Sequence, residues 1–208
     1  MTPTRFRPGK IVCVGRNYRE HVRELGNEVP KDPLIFLKPP SSVVWERDAI
    51  ELPPESQKVD YEGEIGIVVG RRMRGVPEDA AAQGIRGVIA VNDVTARDLQ
   101  KSDGQWTRAK GFDTFCPLGE ESSSVPDLST LTVITRVNGA VRQTGSTSEM
   151  IFSIPFLLAY ISRIMTLEPG DLVATGTPSG VGALAPGDVV EVEIPGVSRV
   201  SNPVRGTR

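Results

Sequence analysis

The sequence predicts an α+β fold made mainly of β-strands. Its 208 residues include 21 glycines and 17 prolines but only 5% aromatic residues, and this many turn formers favours short strands. Only one long amphipathic helix pattern is present, and helices do not alternate regularly with strands, which argues against a doubly wound α/β sheet. We expect a single domain over residues 1–208, because single cores usually grow to about 250–300 residues.

The N-terminal part of the chain predicts short strands around one helical turn. Apolar runs predict strands over 11–14 and 34–37, and the pattern over 19–25 predicts a helical turn. The sequence over 26–32 is typical of a mobile loop. The prolines over 39–54 exclude long elements in that stretch.

The clearest strand of the sequence lies in the middle of the chain, over 59–69. A weak helix is expected over 80–84 and a buried strand over 87–91. A short helix over 95–101 is expected to begin as that strand ends.

The last third of the chain predicts a hairpin, the best helix and two late strands. Residues 137–140, with the sequence VNGA, are typical of a type I′ hairpin turn. Ser153 predicts the start of an amphipathic helix over 155–165. Strands are expected over 172–174 and 189–194, with a glycine-rich loop between them.

Charge and cysteine content narrow the class of protein. The net charge of −2 and the pI near 5.6 give no basic surface for nucleic acid or anionic lipid, so we expect neither as a partner. Cys13 and Cys116 form no C-x-x-C pair, which fits a reducing compartment. The first ten residues lack the apolar stretch of a signal peptide and no segment predicts a membrane span, so we expect a cytoplasmic protein.

Two glutamates of the strand over 59–69 point the same way. The alternation of side chains places Glu62 and Glu64 on one face, and Gly63 between them leaves room for a close neighbour. One interpretation is a half-solvated strand whose polar face points outward. The other is a cation site, because two unpaired carboxylates buried about 6 Å apart would repel by about 3 kcal/mol at an effective dielectric of about 20. Burial of both carboxylates would therefore imply that they bind a metal ion or a proton.

A third carboxylate, Asp93, follows the predicted strand over 87–91. The helix behind it places Arg97 and Gln100 on the Asp93 side. The alternative is that Asp93 only caps this helix. Three carboxylates without a spare histidine or thiol form an oxygen-ligand set that suits Mg²⁺ or Mn²⁺. Ca²⁺ is less favoured because it takes more ligands, and zinc is disfavoured.

The only histidine of the chain, His21, is a candidate general base. Glu24 lies three residues on, so on a helical turn its carboxylate can orient the imidazole and raise its basicity. The alternative is a surface helix of mixed charge. Lys110 is a candidate partner for a substrate carboxylate or an oxyanion, although a single lysine is more often solvated.

The glycine-rich segment over 176–182 is not a nucleotide site. It lacks the Gly-Lys-Ser/Thr ending of a phosphate loop, and Pro186 follows where a dinucleotide-binding helix would begin. Its amides and the Thr177 hydroxyl form either a carboxylate-binding loop or an ordinary turn.

Six blocks of the sequence together resemble a known family. They occur in the order GRNYREH, FLKPPSSV, YEGEIGIVVG, VNDVTARDLQ, RAKGFD and LVATGTPSGVG, and they resemble the fumarylacetoacetate hydrolase family over residues 9–203. The resemblance is to the short, single-domain members, and it implies a mixed β-sandwich roll and a homodimer. It also implies a divalent metal held by Glu62, Glu64 and Asp93.

The same resemblance implies roles for the other candidate residues. His21 and Glu24 would be the water-activating dyad on a lid that orders over the substrate. The contacts with a 2-oxo acid would come from Lys110, Arg97, Gln100 and Thr177, and Tyr18 would shape the distal pocket.

The expected activity is C–C bond cleavage in small 2-oxo acids through a metal-stabilised enolate. Acylpyruvate hydrolysis and β-keto acid decarboxylation both belong to this class. An alternative is an enol–keto or double-bond isomerase of 2-hydroxy-dienedioates. An alternative of another class is a catalytically inactive homologue that binds small molecules.

Overall fold

The structure is a computed structural model that describes residues 7–206. Its strands are β1 (Ile11–Gly15), β2 (Leu34–Lys38), β3 (Val43–Val44), β4 (Ile50–Leu52), β5 (Val59–Tyr61), β6 (Gly63–Val69), β7 (Ile85–Asn92), β8 (Thr95–Ala96), β9 (Cys116–Pro117), β10 (Thr132–Val137), β11 (Ala140–Ser146), β12 (Leu172–Ala174), β13 (Gly182–Ala183), β14 (Val189–Ile194) and β15 (Ser198–Gly206). Its α-helices are α1 (Arg19–Glu24), α2 (Glu78–Ala81), α3 (Arg97–Ser102), α4 (Thr107–Gly111) and α5 (Ile154–Ile164), with 3₁₀ turns at Pro40–Ser42, Ala82–Gly84 and Thr147–Glu149.

One five-stranded sheet has the order β2-β1-β12-β6-β7, and its inner strands β1, β12 and β6 are buried on both faces. β1 runs parallel to β12, and the other neighbouring pairs are antiparallel. All seven residues of β6 are buried, because Ile65 and Ile67 pack into one apolar cluster and Val68 packs into another. The strand that carries Glu64 is therefore an interior strand, and the half-solvated alternative is wrong.

A second five-stranded sheet, β11-β10-β14-β15-β4, packs with α5 over one face of the first sheet. The main core is apolar and fully shielded, and its members include Val12, Ile65, Ile67, Val133, Leu157, Leu158 and Val192. Burial of each such side chain contributes about 1.5–3 kcal/mol to folding. Two smaller sheets, β13-β5-β8 and β3-β9, complete the β structure within the described residues.

The α+β, mainly β, fold class is confirmed, and several elements match their sequence patterns. Asn138 and Gly139 have φ values of 53° and 80°, as a type I′ turn requires, and they join β10 to β11. The Ser153 hydroxyl accepts a hydrogen bond from the Phe156 N–H at the start of α5, which is an N-cap.

Two predicted elements differ in the structure. The strand expected over 59–69 breaks at Glu62 into β5 and β6, which belong to different sheets. The helix expected over 95–101 begins only at Arg97, because Thr95 and Ala96 pair with β5. Residues 26–32 contain no helix or strand, and their mobility stays a prediction.

Among the described helices, none is long and apolar enough to span a membrane. The longest, α5, has 11 residues, whereas a membrane span needs about 20.

Candidate active site

The sheet register brings three carboxylates together. β6 and β7 are antiparallel neighbours in which Gly63 lies opposite Asn92, so Glu62 and Asp93 meet at the same edge. Glu64 lies one residue further into β6. Glu62, Glu64 and Asp93 are all buried, and each offers a carboxylate oxygen that lies within 4.8 Å of the other two.

The break between β5 and β6 is fixed by hydrogen bonds to residues that are distant in sequence. The Glu62 N–H donates to Asn92 Oδ1 at 3.0 Å, and the Asp93 N–H donates to the Glu62 carbonyl at 2.8 Å. The Gly63 N–H donates to Gln143 Oε1 at 3.0 Å, and a Cβ at Gly63 would overlap Thr135. These contacts bend the chain out of the first sheet and fix the Glu62 carboxylate beside Asp93.

Lys110 lies within the cluster and is buried. Its ammonium donates to Glu62 Oε2 at 2.8 Å and to Asp93 Oδ2 at 2.5 Å. The solvated alternative for this lysine is therefore wrong. Asp93 does not cap a helix either, since the N-cap of α3 is Ala96.

Arg97 pairs with the β5–β6 side of the cluster. Its guanidinium donates to Asp60 Oδ2 at 2.9 Å, forms a short ion pair with Glu62 and donates to Gln100 Oε1 at 2.8 Å. Arg97 and Gln100 therefore lie beside the same cluster as Asp93. Arg97, however, forms its ion pairs with Asp60 and Glu62 and not with Asp93.

A second buried lysine, Lys38, was missed by the sequence reasoning. Its ammonium donates to Asp93 Oδ1 at 2.7 Å and to the Val94 carbonyl at 3.1 Å, and its side chain is fully buried at the end of β2. The available signal was a lysine that ends an apolar strand directly before Pro39. Asp60 was also missed, because the sequence pattern does not distinguish a buried polar face of a strand from a solvated one.

The two glutamates of the cluster have opposite electrostatic environments. Burial acts to raise the pKa of Glu62, but Arg97 and Lys110 outweigh it and hold this pKa well below its usual range. The pKa of Glu64 is raised by burial and by the negative charges of Asp93 and Glu62. A buried carboxylate in this setting is stabilised by a cation or a proton, and carboxylate oxygens are the ligands that Mg²⁺ and Mn²⁺ prefer. The donor set therefore fits a hard divalent ion.

The His21 and Glu24 side chains form the expected pair on α1. His21 Nδ1 lies 3.2 Å from Glu24 Oε2, and the imidazole is buried rather than on the surface. The other Glu24 oxygen accepts a hydrogen bond of 3.0 Å from the Gly180 N–H. Glu24 therefore connects the helix to the glycine-rich segment.

The glycine-rich segment does bind carboxylates, but they belong to the protein. The Gly176 N–H donates to Glu64 Oε2 at 2.8 Å, and Gly180 binds Glu24. The Thr177 hydroxyl donates to the Gly63 carbonyl at 2.9 Å and accepts from Gln143 Nε2 at 2.7 Å. Gly176 has a φ of 101°, which an L side chain rarely adopts, so glycine is needed at this approach.

A cavity of about 330 Å³ opens onto this cluster. Seven of the predicted site residues line it, namely His21, Glu62, Glu64, Arg97, Gln100, Lys110 and Thr177. Asp93 and Glu24 lie behind this lining, in contact with Lys110 and His21. The structure does not bring Tyr18 to this cavity but to a neighbouring one of about 380 Å³, beside Glu149 and Pro178.

Comparison with known proteins identifies the family. Residues 10–205 match the model of the fumarylacetoacetate (FAA) hydrolase C-terminal family. The chain belongs to this family. The resemblance seen in the six sequence blocks is thereby confirmed.

Named relatives within the fumarylacetoacetate hydrolase family include enzymes. A mitochondrial oxaloacetate tautomerase of Arabidopsis thaliana is 46% identical over 202 residues, which cover 94% of this chain and 91% of the relative. A mitochondrial oxaloacetate decarboxylase of Dictyostelium discoideum is 44% identical over 195 residues, which cover 90% of this chain and 89% of the relative.

Solved structures of the family share the fold. The 5-carboxymethyl-2-hydroxymuconate delta-isomerase of Mycobacterium smegmatis matches with a TM-score of 0.91 and 44% identity, over 98% of this chain and 81% of that one. The 2-hydroxyhepta-2,4-diene-1,7-dioate isomerase of Mycobacterium marinum matches with a TM-score of 0.90 and 46% identity, over 97% of this chain and 76% of that one.

Proposed function

We propose that this chain is a divalent-metal-dependent enzyme that cleaves a C–C bond in small 2-oxo (di)carboxylic acids. Decarboxylation of a β-keto acid such as oxaloacetate and hydrolysis of an acylpyruvate both belong to this activity. The observation that carries the proposal is the cluster of three buried carboxylates at a cavity that also holds a paired histidine.

Glu62, Glu64 and Asp93 would hold the metal, with Mg²⁺ or Mn²⁺ preferred. When bound, such an ion stabilises negative charge on an enolate oxygen next to the carboxylate of a 2-oxo acid. Lys110 would support the metal site by holding Glu62 and Asp93 in place, since its ammonium donates hydrogen bonds to both.

His21 would act as the base of the hydrolytic reaction. Because Nδ1 faces the Glu24 carboxylate, the proton of the neutral imidazole is placed on Nδ1 and Nε2 is left to accept a proton. A positioned general base of this kind contributes about 10²–10⁴ in rate. Arg97, Gln100 and Thr177 line the cavity where the 2-oxo acid would bind.

The second candidate function is keto–enol or double-bond isomerisation. It is favoured by the same pair, because His21 can carry a proton between two carbons or between carbon and oxygen without breaking a C–C bond. The names of the Arabidopsis relative and of the two mycobacterial structures support it.

Product analysis separates these reactions. The protein would be incubated with Mg²⁺ and a panel of 2-oxo acids, including oxaloacetate and acetylpyruvate, and the products identified by NMR. We expect pyruvate from at least one of them and no product in excess chelator, with activity restored by Mg²⁺ or Mn²⁺. Full activity in excess chelator would contradict the metal-dependent proposal, and enol–keto exchange without pyruvate would favour the isomerase.

We also propose a homodimer, which size-exclusion chromatography with light scattering would test. The expected cytoplasmic location stays a prediction, since the named Arabidopsis and Dictyostelium relatives are mitochondrial.

A further inference from the structure

The charges of the carboxylate cluster (Glu62, Glu64 and Asp93) and of the residues that pair with it balance except at Glu64. Three carboxylates and three cations form ion pairs with one another, namely Asp60, Glu62, Asp93, Lys38, Arg97 and Lys110. Glu64 binds the Gly176 N–H and has no ion pair among residues 7–206. A divalent ion beside Glu64 would leave one net positive charge, which a single substrate carboxylate would neutralise.

Two further cations line the same cavity, Arg16 and Lys101. The Arg16 side chain is half-buried and Lys101 is exposed. Neither side chain forms an ion pair or a hydrogen bond with any residue in the described part of the chain, unlike those of Arg97 and Lys110 in the same lining. The cavity therefore holds positive charge beyond what the carboxylate cluster and one substrate carboxylate require.

The backbone of Arg16 is held in a conformation that a side chain rarely adopts. Its φ is 60°, in the left-handed region, which persists in a non-glycine residue only where the surroundings fix it. Asn17 supplies this constraint: its side-chain amide donates to the Thr175 carbonyl at 2.8 Å and its Oδ1 accepts from the Phe152 N–H at 2.8 Å. Arg16 is thus placed at the cavity by a buried anchor.

We infer that Arg16 and Lys101 bind the far carboxylate of a dicarboxylic 2-oxo acid and make the site select dicarboxylates over 2-oxo acids with a neutral end. The inference rests on the proposed function and adds which substrates the site prefers. Arginine suits this role because its guanidinium binds a carboxylate with two parallel hydrogen bonds. Arg16 is expected to contribute more than Lys101, since an exposed ammonium is screened by water.

Two unreactive ligands that differ only at the far end test the inference. 2-Oxoglutarate ends in a carboxylate and 2-oxopentanoate ends in a methyl group, and both would be titrated calorimetrically into the Mg²⁺-loaded protein. We expect 2-oxoglutarate to bind about 10-fold or more tightly, as for one charge-assisted contact. Arg16→Met and Lys101→Met should each reduce this preference, and the double variant should bring it to about twofold or less.

Two controls separate a local contact from a general charge effect. Arg23→Met removes one positive charge from an exposed position on α1, where Arg23 pairs with Glu20 and with no other residue among 7–206, and should keep the full preference. Arg16→Lys keeps the charge and should keep part of the preference. Thermal melts of each variant would show that it is folded.

Each outcome decides the inference. Equal affinity for the two ligands in the unmodified protein, while it still turns over oxaloacetate, would overturn the inference and leave the proposed function standing. An undiminished preference in the double variant would also overturn it. If neither ligand binds and no 2-oxo acid is turned over, the proposed function fails and the inference fails with it.

Discussion

The floor of the cavity and its mouth handle charge in different ways. At the floor, formed by the carboxylate cluster with Lys38 and Lys110, the buried charges other than that of Glu64 compensate one another through ion pairs. At the mouth, formed by Arg16, α1 and the last turn of α3, Glu24 is held by His21 and one backbone hydrogen bond. The side chains of Arg16 and Lys101 have no partner among residues 7–206.

This difference follows from the dielectric environment. A buried charge without a partner loses several kcal/mol of solvation, so the floor tolerates only changes that keep its charges matched. Water screens the charges at the mouth, so substitutions there act on a bound ligand more than on folding. We therefore expect changes at the floor to affect every reaction and stability, and changes at the mouth to affect individual reactions.

Glu64→Gln at the floor should give the largest effect. The substitution keeps the shape but removes the charge that would hold the metal, so decarboxylation of oxaloacetate and hydrolysis of acetylpyruvate should both fall by about 10³-fold or more, equivalent to about 4 kcal/mol. Pyruvate release from each substrate measures this, after correction for the decarboxylation that free Mg²⁺ causes. Loss of only one activity would show that the metal serves only that reaction.

Lys38→Met should cause the largest loss of stability. It leaves one oxygen of Asp93 without its buried ammonium partner, and breaking such a pair lowers the free energy of unfolding by about 3–5 kcal/mol. Urea unfolding would measure the change. Arg23→Met is the matched control at an exposed ion pair and should change the stability by about 0.5 kcal/mol or less. A similar small change in both variants would contradict the proposed difference between buried and exposed charges.

His21→Ala at the mouth should separate the two reactions. Hydrolysis needs a base to deprotonate water and should fall by about 10² or more, whereas decarboxylation needs only the enolate to be stabilised and should fall much less. The same two pyruvate assays give the comparison. An equal loss of both activities would mean that α1 acts by closing over the substrate and not by base catalysis.

Glu24→Gln should give the smallest effect. The amide oxygen can still accept the hydrogen bond from Gly180, but the negative charge beside His21 is lost, so kcat for hydrolysis should fall by about 10-fold. Mn²⁺ affinity, measured by electron paramagnetic resonance, should stay unchanged because Glu24 lies outside the carboxylate cluster. A large fall in Mn²⁺ affinity would instead show that Glu24 helps to hold the metal at the floor.

Local patterns predicted many of the elements correctly. The VNGA turn and the Ser153 cap are decided by residues close in sequence, and both occur as expected. The strand expected over 59–69 was only partly right. Its break at Glu62 depends on Asn92 and Gln143, which are distant in sequence. The long strand β15 was missed because its polar residues, including Asn202, hide the alternation.

For the site, sequence alone determined which residue types were available. Helical spacing placed Glu24 beside His21, because this relation is set by local backbone geometry. Period-two alternation predicted Glu62 and Glu64 on one face, but their convergence also depends on the contacts of Asn92 and Gln143 at the strand break. Tertiary structure alone decided that Lys38 and Lys110 are buried on Asp93 and that Tyr18 lies at another cavity. The physical reason is that a lysine or a tyrosine is equally compatible with water and with a buried partner, and only the packed chain supplies that partner.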